Sequence, residues 1–389
     1  MRIYMIGQKG IPAASGGVER HVEELSTRLA ARGHEVFVYC RSPYTSPSLK
    51  EYKGVHLIHL PCVHAKSFEA ITHTFLATLH VLFQQADIIH YHAIGPSSLS
   101  FIPRLLKWRS RVVATFHCQD YFHEKWSLLA RMYLRLGEWV TCHVPHRTIA
   151  VAKTLAAYAR TMYGRSLVYI PNATSISEQK IPHAQFLRAW HLRKGSYIVW
   201  IGRLVPHKGV HELIVAYKKL STKKKLVIVG TGSHTASYER MLRRSAQRNP
   251  SILLVGEQHG SALRALLWGA AVYAIPSASE GLSISLLEAM AAGLPVVSSN
   301  IPENREALGD AAWFFNVHNI NDLATKLHYA IRHPREGKAL GERARARITK
   351  YYTWERIIPQ IEDMYEELLQ PVTLPLSVLK GTSRTWAAS

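Results

Sequence analysis

The feature that most constrains the fold is an alternation of short β-branched runs with helix-patterned stretches that starts at the first residues, pauses mid-chain and starts again. The opening run RIYMIG leads into an amphipathic stretch over about 18–31, a stop at Gly33, and then EVFVYC. That order is a βαβ unit, in which the helix crosses over and the two strands lie parallel. Further strands are predicted at VHLIHL (55–60), ADIIHYH (86–92), RVVATFH (111–117), RTIAVA (147–152) and SLVYIP (166–171). Residues 172–191 are polar and poor in long apolar runs, which marks a linker. The pattern resumes with YIVWIG (197–202), KLVIVG (225–230), SILLVG (251–256) and AVYAIP (271–276), with helical stretches over 210–220, 238–247 and 261–268 between them. Two doubly wound α/β units follow, and 389 residues exceed what one core usually serves. The expected division is 1–185, 186–352, an amphipathic closing helix over 353–370, and a flexible tail over 371–389.

Hydrophobic residues make up 47% and charged residues 19%, which suits a globular chain. The net charge of +21 calls for a polyanionic partner: nucleotide phosphates, an anionic membrane face or nucleic acid. Nucleic acid is not expected, because the basic residues are scattered and no recognised binding module is present. The most apolar stretch, 68–83, is interrupted by Glu69, His73 and His80 and does not read as a membrane span. The N-terminus enters a strand without a signal-peptide pattern, so a cytoplasmic protein is expected, peripheral to the inner membrane face at most. FIPRLLKWRSR (101–111) fits either a helix lying on an anionic bilayer or an ordinary α/β helix with one buried face. The four cysteines are far apart and lack zinc-ligand spacing, so they read as reduced and mostly buried, and no metal is expected.

Chemistry is expected in PSASEGLSISLLEAMAAGLP, between Pro276 and Pro295. Glu280 precedes Gly281 in a loop, and a short helix starting near Ser283 or Ser285 carries Glu288 and stops at Gly293. Free amides at such a helix start attract anions, and carboxylates on either side suit the hydroxyls of a ligand whose phosphate lies there. Sugar nucleotides have that layout. Ser285-x-x-Glu288 equally fits a capping box that needs no ligand.

Three other segments fall at predicted strand ends. GRLVPHKG (202–209) places Arg203 and Lys208 on a strand-to-helix loop, where Arg offers a planar fork and Lys a mobile point charge to a diphosphate. GQKGIPAASGGVERH has neither the G-x-G-x-x-G spacing of a dinucleotide site nor a Walker ending, yet Gly16 and Gly17 suit a backbone approach to phosphate or a plain tight turn. His117 and His92 close two strands, where open α/β sheets bind ligands.

With these pieces in order, the chain resembles the retaining glycosyltransferases of family 4, over nearly its whole length to about residue 369. The E-x7-E element of SEGLSISLLEAMAAGLPVV carries most of the resemblance, supported by GRLVPHKG and GIPAASGGVERHVEEL. The opening and FHCQDYFHEKWSLLARMYLRLGEWV look like a bacterial subgroup often described as rhamnosyl or related sugar transferases. The resemblance implies the GT-B fold: two Rossmann-like domains facing across a cleft, with a C-terminal helix able to cross back to the first. It implies transfer of a sugar from a nucleoside-diphosphate sugar to a glycan or lipid-linked acceptor. Residue by residue, it implies Glu280 facing the transferred sugar, Glu288 on the ribose hydroxyls, and Arg203 and Lys208 on the diphosphate. It also implies Gly17 beside that diphosphate, amides of Gly281 and Leu282 on the sugar and phosphate, and His117 at the reaction centre, while Gly16 is expected on the donor side with Gly17 and His92, from its strand-end position, on the acceptor side. Many relatives carry His-Asp or His-Gly after that strand, whereas Cys118 stands here. There is no Asp-x-Asp motif, so the resemblance implies no cofactor and no metal-bridged diphosphate. A sugar-nucleotide epimerase or phosphorylase of the same fold, or a non-catalytic basic scaffold, are the rival readings.

Overall fold

The structure, a computed structural model, describes residues 1–370 except 15, 43, 64, 66–67, 120, 122–126, 177–182 and 233–234. The expected tail over 371–389 therefore lies outside the described residues. The first unit runs β1 (Arg2–Ile6), α1 (Gly17–Ala31), β2 (Glu35–Arg41), β3 (Glu51–Tyr52), β4 (Val55–Leu60), α2 (Glu69–Leu82) and β5 (Ile88–His92). It continues with α3 (Ile94–Ser97), α4 (Phe101–Leu106), β6 (Arg111–Phe116), α5 (Leu128–His143), β7 (Arg147–Ala150), α6 (Lys153–Tyr163) and β8 (Val168–Tyr169). The sheet order is β3-β4-β2-β1-β5-β6-β7-β8, parallel except for the β3–β4 pair.

The second unit runs α7 (His183–Arg188), β9 (Tyr197–Ile201), a 3-10 turn over Pro206–Lys208, α8 (Val210–Lys218), β10 (Lys225–Val229), α9 (Ala236–Gln247) and β11 (Ile252–Gly256). Then come α10 (Gly260–Trp268), β12 (Val272–Ile275), α11 (Ile284–Ala291), β13 (Val296–Ser299), α12 (Pro302–Leu308), β14 (Trp313–Phe315), α13 (Ile320–Arg332) and α14 (Pro334–Tyr351). Its strands are all parallel, in the order β11-β10-β9-β12-β13-β14. The order in which successive strands are added reverses between β1 and β5 in the first sheet and between β9 and β12 in the second. Ligands of open α/β sheets bind at such switch points, beyond the strand carboxyl ends.

The last helix, α15 (Trp354–Leu369), returns to the first unit. Trp354, Ile357, Ile361, Met364 and Tyr365 recur at helical spacing and pack on Ile3 and Met5 of β1 and Val22 and Leu25 of α1. Burial of Ile357, Ile358, Ile361 and Met364, each at most 5% exposed, contributes about 1.5–3 kcal/mol apiece. The segment read as a linker is not bare: it holds α7, whose Leu187 packs with Tyr197 and Leu266, and a bridge from Thr174 to Thr353. None of the four cysteines is in a disulfide, and Cys40 and Cys142 are buried whereas Cys62 and Cys118 are half-buried.

Candidate active site

The loops after β9 and β12 meet at the second switch point. At Gly209, φ is 68°, and a Cβ there would lie 2.4 Å from the Pro276 carbonyl oxygen, so only glycine lets the two backbones close up. The Ala278 amide donates to the His207 carbonyl at 2.8 Å, fastening one loop to the other. This brings Lys208 Nζ to 2.5 Å from both Glu280 carboxylate oxygens. The pair is largely withdrawn from water, with side chains 18% and 7% exposed. Arg203 stands half-buried on the same loop.

Next to that pair, α11 points its N-terminus. Its cap is Ser283, with no side-chain capping bond, so the capping box over Ser285 and Glu288 does not form. Ser285 is instead the second helical residue, and its hydroxyl accepts from Tyr273 at 2.9 Å. Glu288 lies a turn further on and accepts from Arg20 Nη2 at 3.0 Å, across from the first unit. Burial pushes the Glu288 carboxyl up, Arg20 pulls it down, and Glu24 adds to the rise. The first-turn amides of α11 thus keep the orphan donors and partial positive charge of a helix start.

The first unit contributes imidazoles rather than ion pairs. His90 and His92 from β5, His117 after β6 and His21 from α1 are all buried. His92 Nδ1 lies 3.3 Å from His117 Nε2, and the His21 ring meets the His117 ring edge-on at 5.0 Å. His90 is hydrogen-bonded to Tyr365 of α15 at 2.6 Å and to Thr115 at 2.7 Å. Burial pushes His21 down to about 4 and His90 to about 3, and holds His92 and His117 well below the usual imidazole range, with neighbouring rings adding to the last two. All four are therefore neutral near pH 7. His21, His92 and His117 bring one ring nitrogen each within 4.8 Å of one another, a donor set chemically suited to a zinc-like ion.

Further contacts join the two units beside the Arg20–Glu288 pair. A Cβ on Gly281 would lie 1.8 Å from the His117 carbonyl oxygen, so this glycine serves a backbone-to-backbone approach between units. Asn172 donates to the Leu282 carbonyl at 2.8 Å. Gly17 faces Ile284, and Gly16 caps α1 with φ 100°, its carbonyl accepting from the Arg20 amide.

Comparison with known proteins matches this architecture half by half. Residues 15–178 match the "Glycosyltransferase Family 4" model and residues 188–347 match "Glycosyl transferases group 1". The chain is a GT-B glycosyltransferase of the group 1 type. Mycobacterium tuberculosis glycogen synthase is 26% identical over 416 residues, covering 94% of each chain. The phosphatidyl-myo-inositol mannosyltransferase of Mycolicibacterium smegmatis is 26% identical, covering 90% of each. Among solved structures, sucrose-phosphate synthase from Thermosynechococcus elongatus superposes with a TM-score of 0.78 at 22% identity, over 94% of this chain and 98% of that one. Anabaena HepE, solved with UDP and glucose, gives 0.77 at 15%, over 94% and 99%.

In this glycosyltransferase the sequence-predicted residues converge on one interdomain region. Lys208, Glu280, Gly281 and Leu282 form a contiguous set, with His117 against Gly281 and Glu288 one helical turn away. His92 departs from expectation: it is fully buried beneath His117 rather than open to an acceptor. Arg20, His21 and Asn172 were not foreseen. His21 had a signal, since it occupies the buried stripe of α1 with Val22, Leu25 and Leu29, where a polar residue is out of pattern.

Proposed function

We propose that the enzyme transfers a hexose or deoxyhexose from a nucleoside-diphosphate sugar to a glycan or lipid-linked acceptor with retention of anomeric configuration. Its place would be the synthesis of cell-surface polysaccharide or glycolipid, in the cytoplasm or at the inner membrane face. The observation that carries this is the Lys208–Glu280 pair held at the switch point beside the α11 N-terminus. A diphosphate laid on those amides draws Lys208 away from Glu280, and Arg203 adds the second cation. Glu280 is then free to accept hydrogen bonds from the hydroxyls of the sugar. Gly16 and Gly17 flank the diphosphate from the first unit, the backbone of Gly281 and Leu282 borders the sugar, and Glu288 exchanges Arg20 for the ribose hydroxyls.

In the transfer step, the bond from the anomeric carbon to the β-phosphate oxygen breaks while the acceptor oxygen bonds to the same face of that carbon. The acceptor proton passes to the departing phosphate oxygen. Fixed cations and helix amides stabilise the charge on that leaving group, the role a bridging metal plays elsewhere. Neutral His117 lines the reaction centre as a hydrogen-bonding group, and His92 holds it in place. The names of two relatives support both acceptor classes, one a glycogen synthase and one a phosphatidyl-myo-inositol mannosyltransferase.

A panel of UDP-, GDP- and dTDP-sugars tests the reading. One nucleotide class should raise the unfolding temperature in proportion to occupancy and be turned over. Glu280→Ala should cut turnover about a hundredfold or more while the protein stays folded. Wild-type turnover in folded Glu280→Ala, or salt-sensitive oligonucleotide binding with no donor turnover, would overturn it.

A further inference from the structure

Large apolar side chains are exposed very unevenly over this molecule. Outside the first unit they are single and scattered, as on any soluble protein. Within it they collect on three helices. Along α5, Leu128, Leu129, Met132, Leu136 and Trp139 recur at helical spacing on one outer stripe, with Leu129 77% exposed. On α4 and just after it stand Leu105, Leu106 and Trp108, and along α2 and just after it Phe75, Leu79 and Phe83. The same helices bury a second, inner stripe, such as Ala77 and Val81 of α2 or Leu134 and Val140 of α5.

The three helices share one side of the first sheet. Ala77 and Val81 pack on Tyr4, Ile6, Val112 and Ala114, whereas the alternate residues Ile3, Met5 and Val113 face the other way, toward α1 and α15. Thr148, the ladder partner of Ala114 and so on the α2 side, donates to the Thr141 carbonyl of α5. Lys107 at the end of α4 donates to the Leu82 and Gln84 carbonyls, tying α4 to α2.

Cations are interleaved with these apolar residues. Arg104, Arg109, Arg131 and Arg135 are exposed, and none takes part in an ion pair among the described residues. Among the described residues the nearby carboxylates are engaged: Glu69 accepts from Arg41 and Tyr44, Asp87 from the Arg2 amide, and buried Glu138 from Tyr158 and Tyr163. A second copy docked on this face about a two-fold axis would set these arginines against each other. An anionic lipid surface meets both the charge and the apolar stripes.

We propose that the α2–α4–α5 face docks the enzyme on an anionic bilayer. Aromatic and leucine side chains enter the interfacial layer, and the four arginines meet lipid phosphates. The inference takes from the proposed function only the idea of a lipid-linked acceptor, reached from the first unit. Vesicle binding is measured without donor or acceptor, so the two readings fail separately.

The test is co-sedimentation of the full chain with vesicles of phosphatidylcholine alone and of phosphatidylcholine mixed with phosphatidylglycerol. Wild type should sediment with the mixed vesicles and release as salt is raised. Leu105→Glu, Trp108→Glu, Leu129→Glu and Leu136→Glu together, all at exposed positions, should abolish binding while the circular dichroism spectrum and unfolding temperature stay those of wild type. Replacing the four arginines by alanine should weaken binding about fivefold for each cation removed. Folded wild type that ignores anionic vesicles, or binding unchanged in both variants, would overturn the proposal. So would a dimer in light scattering that the glutamate variants dissociate.

Discussion

Two clusters lie at strand carboxyl ends in two sheets of similar architecture, one a salt bridge and the other a set of imidazoles held neutral. Beside α11, Lys208 and Glu280 are withdrawn from water but face each other at 2.5 Å, so each offsets the other's desolvation. At the ends of β5 and β6, the imidazoles are surrounded by one another, Tyr365, Thr115, Trp354 and Asn172, with no carboxylate paired to them among the described residues, and burial strips them of protons. Position at a strand end therefore does not decide what a polar residue can do; the sign and distance of its nearest partner does. In the proposed function the second sheet would supply fixed charge for a diphosphate, and the first neutral hydrogen-bonding groups and shape.

The sharpest way to break this contrast is to remove the charge. Lys208→Ala should lower kcat by about a hundred- to a thousandfold, the usual cost of losing one preorganised donor to a developing anion. Steady-state kinetics showing a change within threefold would mean that fixed charge is not what this side provides.

A milder test is acid. The folded-state values of about 4 for His21 and about 3 for His90 lie below the ordinary 6.5, so the folded protein binds fewer protons than the unfolded chain. Stability is then complete above about pH 6.5 and is withdrawn as pH falls toward 4, by about 1.4 kcal/mol per pH unit for each such imidazole. A urea midpoint that does not move between about pH 7 and about pH 5 would show the cluster to be solvated or charged.

The smallest effect belongs to the pair that joins the two sides. Arg20 is 41% exposed, so Arg20→Ala should change stability by no more than about 1 kcal/mol. By freeing Glu288 it should lower the donor KM, up to about fivefold, the equivalent of such a pair. A tenfold rise in KM would instead place Arg20 itself on the donor.

Much of the fold was legible because alternation of strand and helix patterns is a local property. Strand ends such as Ile201, Ile275 and Phe116 fell within a residue or two of expectation, and with them the loops carrying Arg203, Lys208, Glu280 and His117. The start of α11 was not legible between Ser283 and Ser285, and those two residues were enough to separate a capping box from a Glu288 that faces Arg20. The apolar stripes of α2 and α5 escaped notice for a related reason: hydrophobic spacing reveals a stripe but not which side of the helix the core takes.

The sequence by itself determined two α/β units, a closing amphipathic helix, and the strand ends that carry the candidate residues. Only the tertiary structure decided the partners. Arg20 and Glu288 are 268 residues apart, and Asn172 and Leu282 are 110 apart, so no local pattern links either pair. It also decided which groups stay ionised. Protonation depends on burial and on the nearest charge, and both arise only when distant segments pack together.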